Sequence, residues 1–197
     1  MTAVPGAVPR LVLASTSPRR LELLGRLGVV PDRVAAPDID ESPLPAELPR
    51  AYVLRTALAK ARAVDRTEDE VILAGDTMIA AGRRILGKPD DAADARRMLK
   101  LLSGRRHHCL SAVVVIERDG RERTRLSDTI VAFRPLEPAE IEAYLAGDQW
   151  VGKAGAYAIQ GHAEAFVRFL HGSHSGVVGL PLTETRVLLR SAGLPLA

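Results

Sequence analysis

Ser15, Ser17, Arg19 and Arg20 stand together in STSPRR, just after the apolar run 11–14 and at the head of a helical pattern carried by Leu21, Leu24 and Leu27. Ser17-Pro18 reads as a helix N-cap with proline at the first helical position, where its missing N–H costs nothing. Two guanidiniums in that first turn face the positive end of the helix dipole, a mildly unfavourable place for cations. Free N–H groups, two hydroxyls and two arginines together form an anion cradle suited to phosphate. The competing reading leaves both arginines in water, paired with Glu22 or Asp38.

Three further clusters could act on such an anion. In VILAGDTMIA, Asp76 follows one apolar run and precedes another, so it is expected where the chain leaves a sheet. An aspartate held there can bind a divalent metal or polarise a water, or it can form a plain Asx-turn with Thr77. Lys88 sits shortly after, in a Gly-Lys-Pro turn. The proline-rich segment 37–49 carries Asp38, Asp40 and Glu41, and the next helical stretch carries Lys60 near the edge of its apolar stripe. Carboxylates and lysines around a phosphate chain imply Mg²⁺-assisted phosphoryl chemistry, whereas a snorkelling Lys60 is the ordinary alternative. Gln160 closes an apolar run ahead of Gly161, which would let the backbone approach a ligand closely. Its amide has a donor and an acceptor, matching O4 and N3–H of uracil or thymine, although a flipped amide also matches cytosine. A satisfied polar cap at a strand end is the other reading of that glutamine.

Several chemistries lack their residues. There is no G-x-x-x-x-G-K-[ST], no G-x-G-x-x-G after a strand, no H-E-x-x-H and no G-x-S-x-G. The five histidines show no metal-ligand spacing, and the single Cys109 excludes an internal disulfide and fits a reducing compartment. No apolar run approaches the roughly 20 residues that span a bilayer. The opening MTAVPGAVPR has neither a basic region nor a long apolar core and reads as a flexible extension over 1–10, so the expected location is cytoplasmic. The net charge of +3 is spread along the chain and aromatics make up only 4%, which argues against nucleic acid as a partner. The pairs at 83–84, 96–97 and 105–106 read as solvated arginines.

The elements that must position these residues alternate. Strand patterns cover 11–14, 71–74, 112–116, 130–133, 157–159 and 165–170, and helical patterns cover 49–64, 90–102, 138–146 and 183–192. Asp119-Gly120 marks a hairpin after 112–116, so antiparallel pairs accompany any parallel ones. The expected class is α/β, a mixed sheet packed with helices, with 11–197 of the 197-residue chain forming one domain.

Taken in order, LASTSPRRLELL, Lys60-Ala61, GDT, GKP, LSGRRH, KAGAYAIQG and GSHSGVVGLPL resemble the Maf family of nucleoside triphosphate pyrophosphatases, over residues 11–182. The resemblance implies an elongated mixed sheet flanked by helices, with two lobes around a deep cleft as in inosine triphosphatases, commonly as a homodimer. It implies hydrolysis to the monophosphate and pyrophosphate with Mg²⁺ or Mn²⁺, in house-cleaning of modified nucleotides and with a link to septum formation. By motif match, Ser15, Arg19, Arg20, Lys60 and Lys88 would hold the triphosphate, and Asp76 would accept the proton of the attacking water. Glu41 and Asp76 would bind the metal, and Arg19, Thr77 and Gln160 would bear on substrate choice. The YAIQG stretch is similar to the branch that acts on dTTP and UTP. The alternatives are an N7-methyl-GTP pyrophosphatase and a nucleotide-binding division regulator with little hydrolysis. The chain departs from the family pattern at Gly152, His174 and Gly176.

Overall fold

A computed structural model describes residues 8–196. Seven strands form one mixed sheet: β1 (Arg10–Ala14), β2 (Arg33–Ala35), β3 (Glu70–Ala81), β4 (Arg84–Leu86), β5 (Arg106–Ile116), β6 (Glu122–Phe133) and β7 (Val167–His171). Their order is β2-β1-β3-β5-β6-β7, with β4 paired to β3. β1 lies parallel to β2 and β3, and every other pair is antiparallel. The helices are α1 (Pro18–Gly25), α2 (Pro49–Arg62), α3 (Ala92–Leu102), α4 (Pro138–Leu145), α5 (His174–Val178) and α6 (Leu182–Ser191). The expected mixed α/β class is present, and the Asp119-Gly120 hairpin joins β5 to β6, with Gly120 at φ 83°.

The pleat sends alternate residues of each strand to opposite faces, and each face has its own core. Leu11, Leu13, Val71 and Leu73 pack with α1, α3, α4 and α6. Val12, Ala14, Ile72 and Ala74 pack with Tyr52, Val53, Ala57 and Ala61 of α2. α2 and α4 start with proline at the first turn, and Asp91 caps α3 by accepting from the Asp94 amide.

Four expectations need correction. Residues 157–159 are not a strand; they follow a short 3₁₀ turn at Ala154–Ala156, with Ala158 N–H donating to the Tyr144 hydroxyl (3.1 Å) rather than to a neighbouring strand. Residues Ala165 and Phe166 belong to a second 3₁₀ turn, and β7 begins only at Val167. Asp76 is not at a strand exit. β3 runs on through it for 12 residues, and the neighbouring strand is the one that leaves. Ser17 occupies the N-cap of α1 without a side-chain cap bond; the Ser15 hydroxyl accepts from the Ser17 amide instead (3.2 Å). Most of the extension read over 1–10 lies outside the described residues, and β1 already begins at Arg10.

Candidate active site

The site originates in an interruption of the sheet. β1 pairs with β3 from Glu70 to Ala74 and β4 pairs with it from Ile79 to Ala81, so one edge of β3 is without a strand partner between them. The chain of β1 turns away at Ser15 into α1, at the carboxyl end of a parallel strand, where ligands of α/β sheets bind. A cavity of about 930 Å³ opens at this gap and reaches both faces of β3. It is lined by Ser15, Arg19 and Arg20 from the α1 turn, Asp40 and Glu41 from the acidic loop, Lys60 of α2, Asp76 and Thr77 of β3, Lys88 beyond β4, and Gly152, Lys153 and Gln160.

On the α2 face, Asp76 is 6% exposed and Lys60 7%. Lys60 Nζ donates to Asp76 Oδ1 at 2.7 Å and pairs with Glu41 Oε2 at 3.0 Å. Lys60 therefore does not snorkel to solvent. It anchors two carboxylates that would otherwise repel each other, a buried pairing whose rupture would strand a charge. Tyr52 donates to the Glu41 carbonyl (3.0 Å), fastening the acidic loop to α2. Burial, followed by the charge of Asp76, pushes the Tyr52 phenol up to about 12.

The other face holds the cations. Arg20 donates through Nε to the Gly179 carbonyl (2.9 Å) and through Nη1 to Ser15 Oγ (3.0 Å). Arg19, its neighbour, has no ion pair or hydrogen bond among the described residues and projects its guanidinium into the cavity; neither arginine reaches Glu22, which pairs with Arg26. Burial lowers the pKa of both, with Asp76 and Glu41 pulling that of Arg20 back upward. Lys153 is lowered as well, first by burial and then by the charge of Arg19. These cations press on one another in a partly dry site, the field an incoming polyanion would relieve. Ser15 Oγ accepts from both Ser17 N–H and Arg20, which leaves its own O–H proton for a ligand.

Hydroxyl polarity is also fixed at Thr77. Ser111 Oγ donates its one proton to the Gly176 carbonyl (2.7 Å), so the 2.6 Å contact between Thr77 and Ser111 needs the proton of Thr77, which takes this partner over the more distant Gly179 carbonyl (3.4 Å). Thr77 therefore offers the cavity an acceptor.

Glu41 and Asp76 converge on one ammonium, the place where their chemistry would also suit a hard cation. No group of three or more histidine, cysteine or acidic side chains gathers among the described residues. Two carboxylates completed by phosphate and water oxygens are an arrangement Mg²⁺ accepts, so the donor set fits.

A family model, Maf-like protein, matches residues 10–192. The chain belongs to the Maf family. It is 66% identical over 189 residues to the dTTP/UTP pyrophosphatase of Sphingopyxis alaskensis, covering 96% of this chain and all of that protein (100%). It is 61% identical to the dTTP/UTP pyrophosphatase of Novosphingobium aromaticivorans, covering 94% and 93%. A crystal structure of a nucleoside-triphosphatase/dITP/XTP pyrophosphatase from Mycobacterium abscessus overlaps with a TM-score of 0.42 at 20% identity, covering 63% of this chain and 72% of that one.

The expected site residues of this Maf chain thus all line one cavity, but Asp38 does not, and Asp40 spends its Oδ1 on the Ser42 amide (2.8 Å). Gly161 is not among the residues that line the cavity. A Cβ there would stand 2.2 Å from Gln149 Oε1, which accepts from His162 N–H (2.8 Å) and so ties down the turn bearing Gln160. Of the departures from the Maf pattern, Gly152 lines the cavity, while His174 is exposed and outside it. Sequence reading passed over Lys153, although it stands in the KAG stretch, and Ser111, whose role arises only from its register opposite Thr77.

Proposed function

We propose that this Maf protein hydrolyses dTTP and UTP to the monophosphate and pyrophosphate with a divalent metal, Mg²⁺ or Mn²⁺. The reading rests on one observation above all: a carboxylate, Asp76, is held by Lys60 at the floor of a cavity whose other wall carries the unpaired guanidinium of Arg19. Names borne by relatives at 66% and 61% identity support the substrates.

Arg19, Lys88 and the Ser15 hydroxyl hold the triphosphate, while Arg20, bound to Gly179 and Ser15, fixes the cradle and adds charge. Asp76 Oδ2, free of the lysine bond, orients a water and takes its proton as the water attacks the α-phosphorus. Lys60 keeps Asp76 in one orientation through its bond to Oδ1. Glu41 and Asp76 would hold the metal, which supplies charge neutralisation on the phosphate oxygens. Gln160 reads the O4/N3–H edge of the pyrimidine. Positioning and charge stabilisation are what phosphoryl transfer chiefly requires.

A panel of nucleoside triphosphates, assayed for pyrophosphate release with Mg²⁺, Mn²⁺ or EDTA, tests the reading. UTP and dTTP should be turned over fastest and EDTA should stop the reaction. Faster release from N7-methyl-GTP would reassign the substrate, and tight nucleotide binding without release would make the protein a regulator.

A further inference from the structure

Two arginine pairs that look solvated in the sequence are brought together by the fold. The β3–β4 hairpin turns at Gly82 (φ 61°) and carries Arg83 and Arg84, with Ala81 paired to Arg84. α3 ends at Leu102, turns at Gly104 (φ 68°) and enters β5 through Arg105 and Arg106. Because Ala80 pairs with His108, both turns stand at the same end of the sheet. The four arginines surround a concavity of about 730 Å³ with Leu101 and Leu102 in its wall. It shares no lining residue with the cleft of Asp76 and contains no acidic one.

Several arginines elsewhere meet a carboxylate, while Arg50, Arg125, Arg168 and Arg190 stand singly at the surface without one among the described residues. The third pair is neutralised, Arg96 by Glu142 (2.6 Å) and Arg97 by Asp94 (2.8 Å), and Arg62 and Arg134 meet Glu122 and Glu140. In the concavity, the guanidiniums of Arg83, Arg84 and Arg105 have no ion pair or hydrogen bond among the described residues, and Arg106 has only the face of Phe169 (5.6 Å). The four guanidiniums are exposed, and like charges around one hollow repel one another. Each guanidinium keeps its planar fork of donors free, the geometry that grips phosphate oxygens in pairs.

We propose that this arginine groove is a second anion site, separate from the active cleft, that takes an oligophosphate of three or more negative charges. The four positive charges match such a ligand, and the size of the hollow suits a small molecule rather than a duplex face. A single phosphate would leave half the guanidiniums unused. The groove stands or falls independently of which nucleotide the cleft hydrolyses.

Inorganic tripolyphosphate is the probe, titrated calorimetrically into the full chain at about 0.1 M salt without divalent metal. The wild-type protein should bind two equivalents. Arg83→Gln/Arg105→Gln should bind one, with affinity at the groove weakened at least tenfold and thermal stability unchanged, while Arg19→Ala should weaken the other site only. UTP hydrolysis in the groove variant should stay within twofold of wild type. A single wild-type equivalent that the groove substitutions leave unaltered, or two unaltered equivalents in the groove variant, would overturn the proposal. So would a single-stranded RNA oligomer that binds through the four arginines while tripolyphosphate does not.

Discussion

Arg19 and Arg20 are chemically identical neighbours with different duties. Arg20 is locked between Gly179 and Ser15, whereas Arg19 lines the cavity without an ion pair or hydrogen bond among the described residues. Arg20→Ala should leave the buried Gly179 carbonyl with only the longer Thr77 contact (3.4 Å) and cost about 1–3 kcal/mol, lowering the melting temperature by roughly 2–10 °C in a scanning calorimeter. Arg19→Ala should leave that temperature in place and raise KM for UTP by about 10–100-fold, the worth of a charge-assisted bond to phosphate. Equal effects of the two changes on both readouts would erase the distinction. The Thr77 hydroxyl gives a subtler case. Ser111→Ala removes its proton acceptor and lets it rotate, so selectivity for UTP over other triphosphates should shift by about fivefold, the value of one neutral hydrogen bond. Steady-state comparison of UTP with CTP and GTP reads that shift.

β3 is the element on which the site is built, and it shows where sequence reading succeeds and fails. Its apolar halves, 71–74 and 78–81, are plain in the sequence, but Gly75-Asp76-Thr77 looks like a break between two strands. A charged residue can remain inside a continuous strand here because Lys60, 16 positions earlier, neutralises it, a partner no local pattern reveals. The short β2, β4 and α5 were equally illegible, since three to five residues carry no periodicity of their own. The candidate site residues could be named from their types and from the family's motifs; that they share one cavity came from the gap beside β3. Gly155 ties two loops of that cavity together, its N–H donating to the Gly87 carbonyl (3.0 Å) next to Lys88. It has φ 70°, and an added Cβ would sit 2.8 Å from Ile79. Gly155→Ala should therefore destabilise by roughly 2–4 kcal/mol in urea unfolding and raise KM through Lys88, with unaltered stability counting against the close packing.

At the scale of the whole molecule, one sheet separates two cores, and the larger encloses a histidine. His107 is 1% exposed, bonded to the Tyr157 hydroxyl at 2.9 Å, and packed edge-on against Phe133. Burial, with a lesser push from His108, lowers its pKa to about 4. The unfolded chain then takes up a proton near the ordinary value of 6.5 while the folded chain does not, so stability is full above about pH 6.5 and falls as pH drops toward 4. Over that window the loss amounts to roughly 3 kcal/mol, and His107→Phe should flatten the fall in melting temperature between pH 6.5 and 5. An identical slope in the variant would relocate the acid sensitivity. The central claim concerns the cleft: a water activated by Asp76 attacks the α-phosphorus of a pyrimidine triphosphate. Hydrolysis of UTP in ¹⁸O-water, read by mass spectrometry, tests it most directly. The label should appear in UMP and not in pyrophosphate, and Asp76→Asn should slow its incorporation by about 10²–10⁴-fold while UTP still binds. Label in the pyrophosphate, or undiminished incorporation by the asparagine variant, would contradict the account.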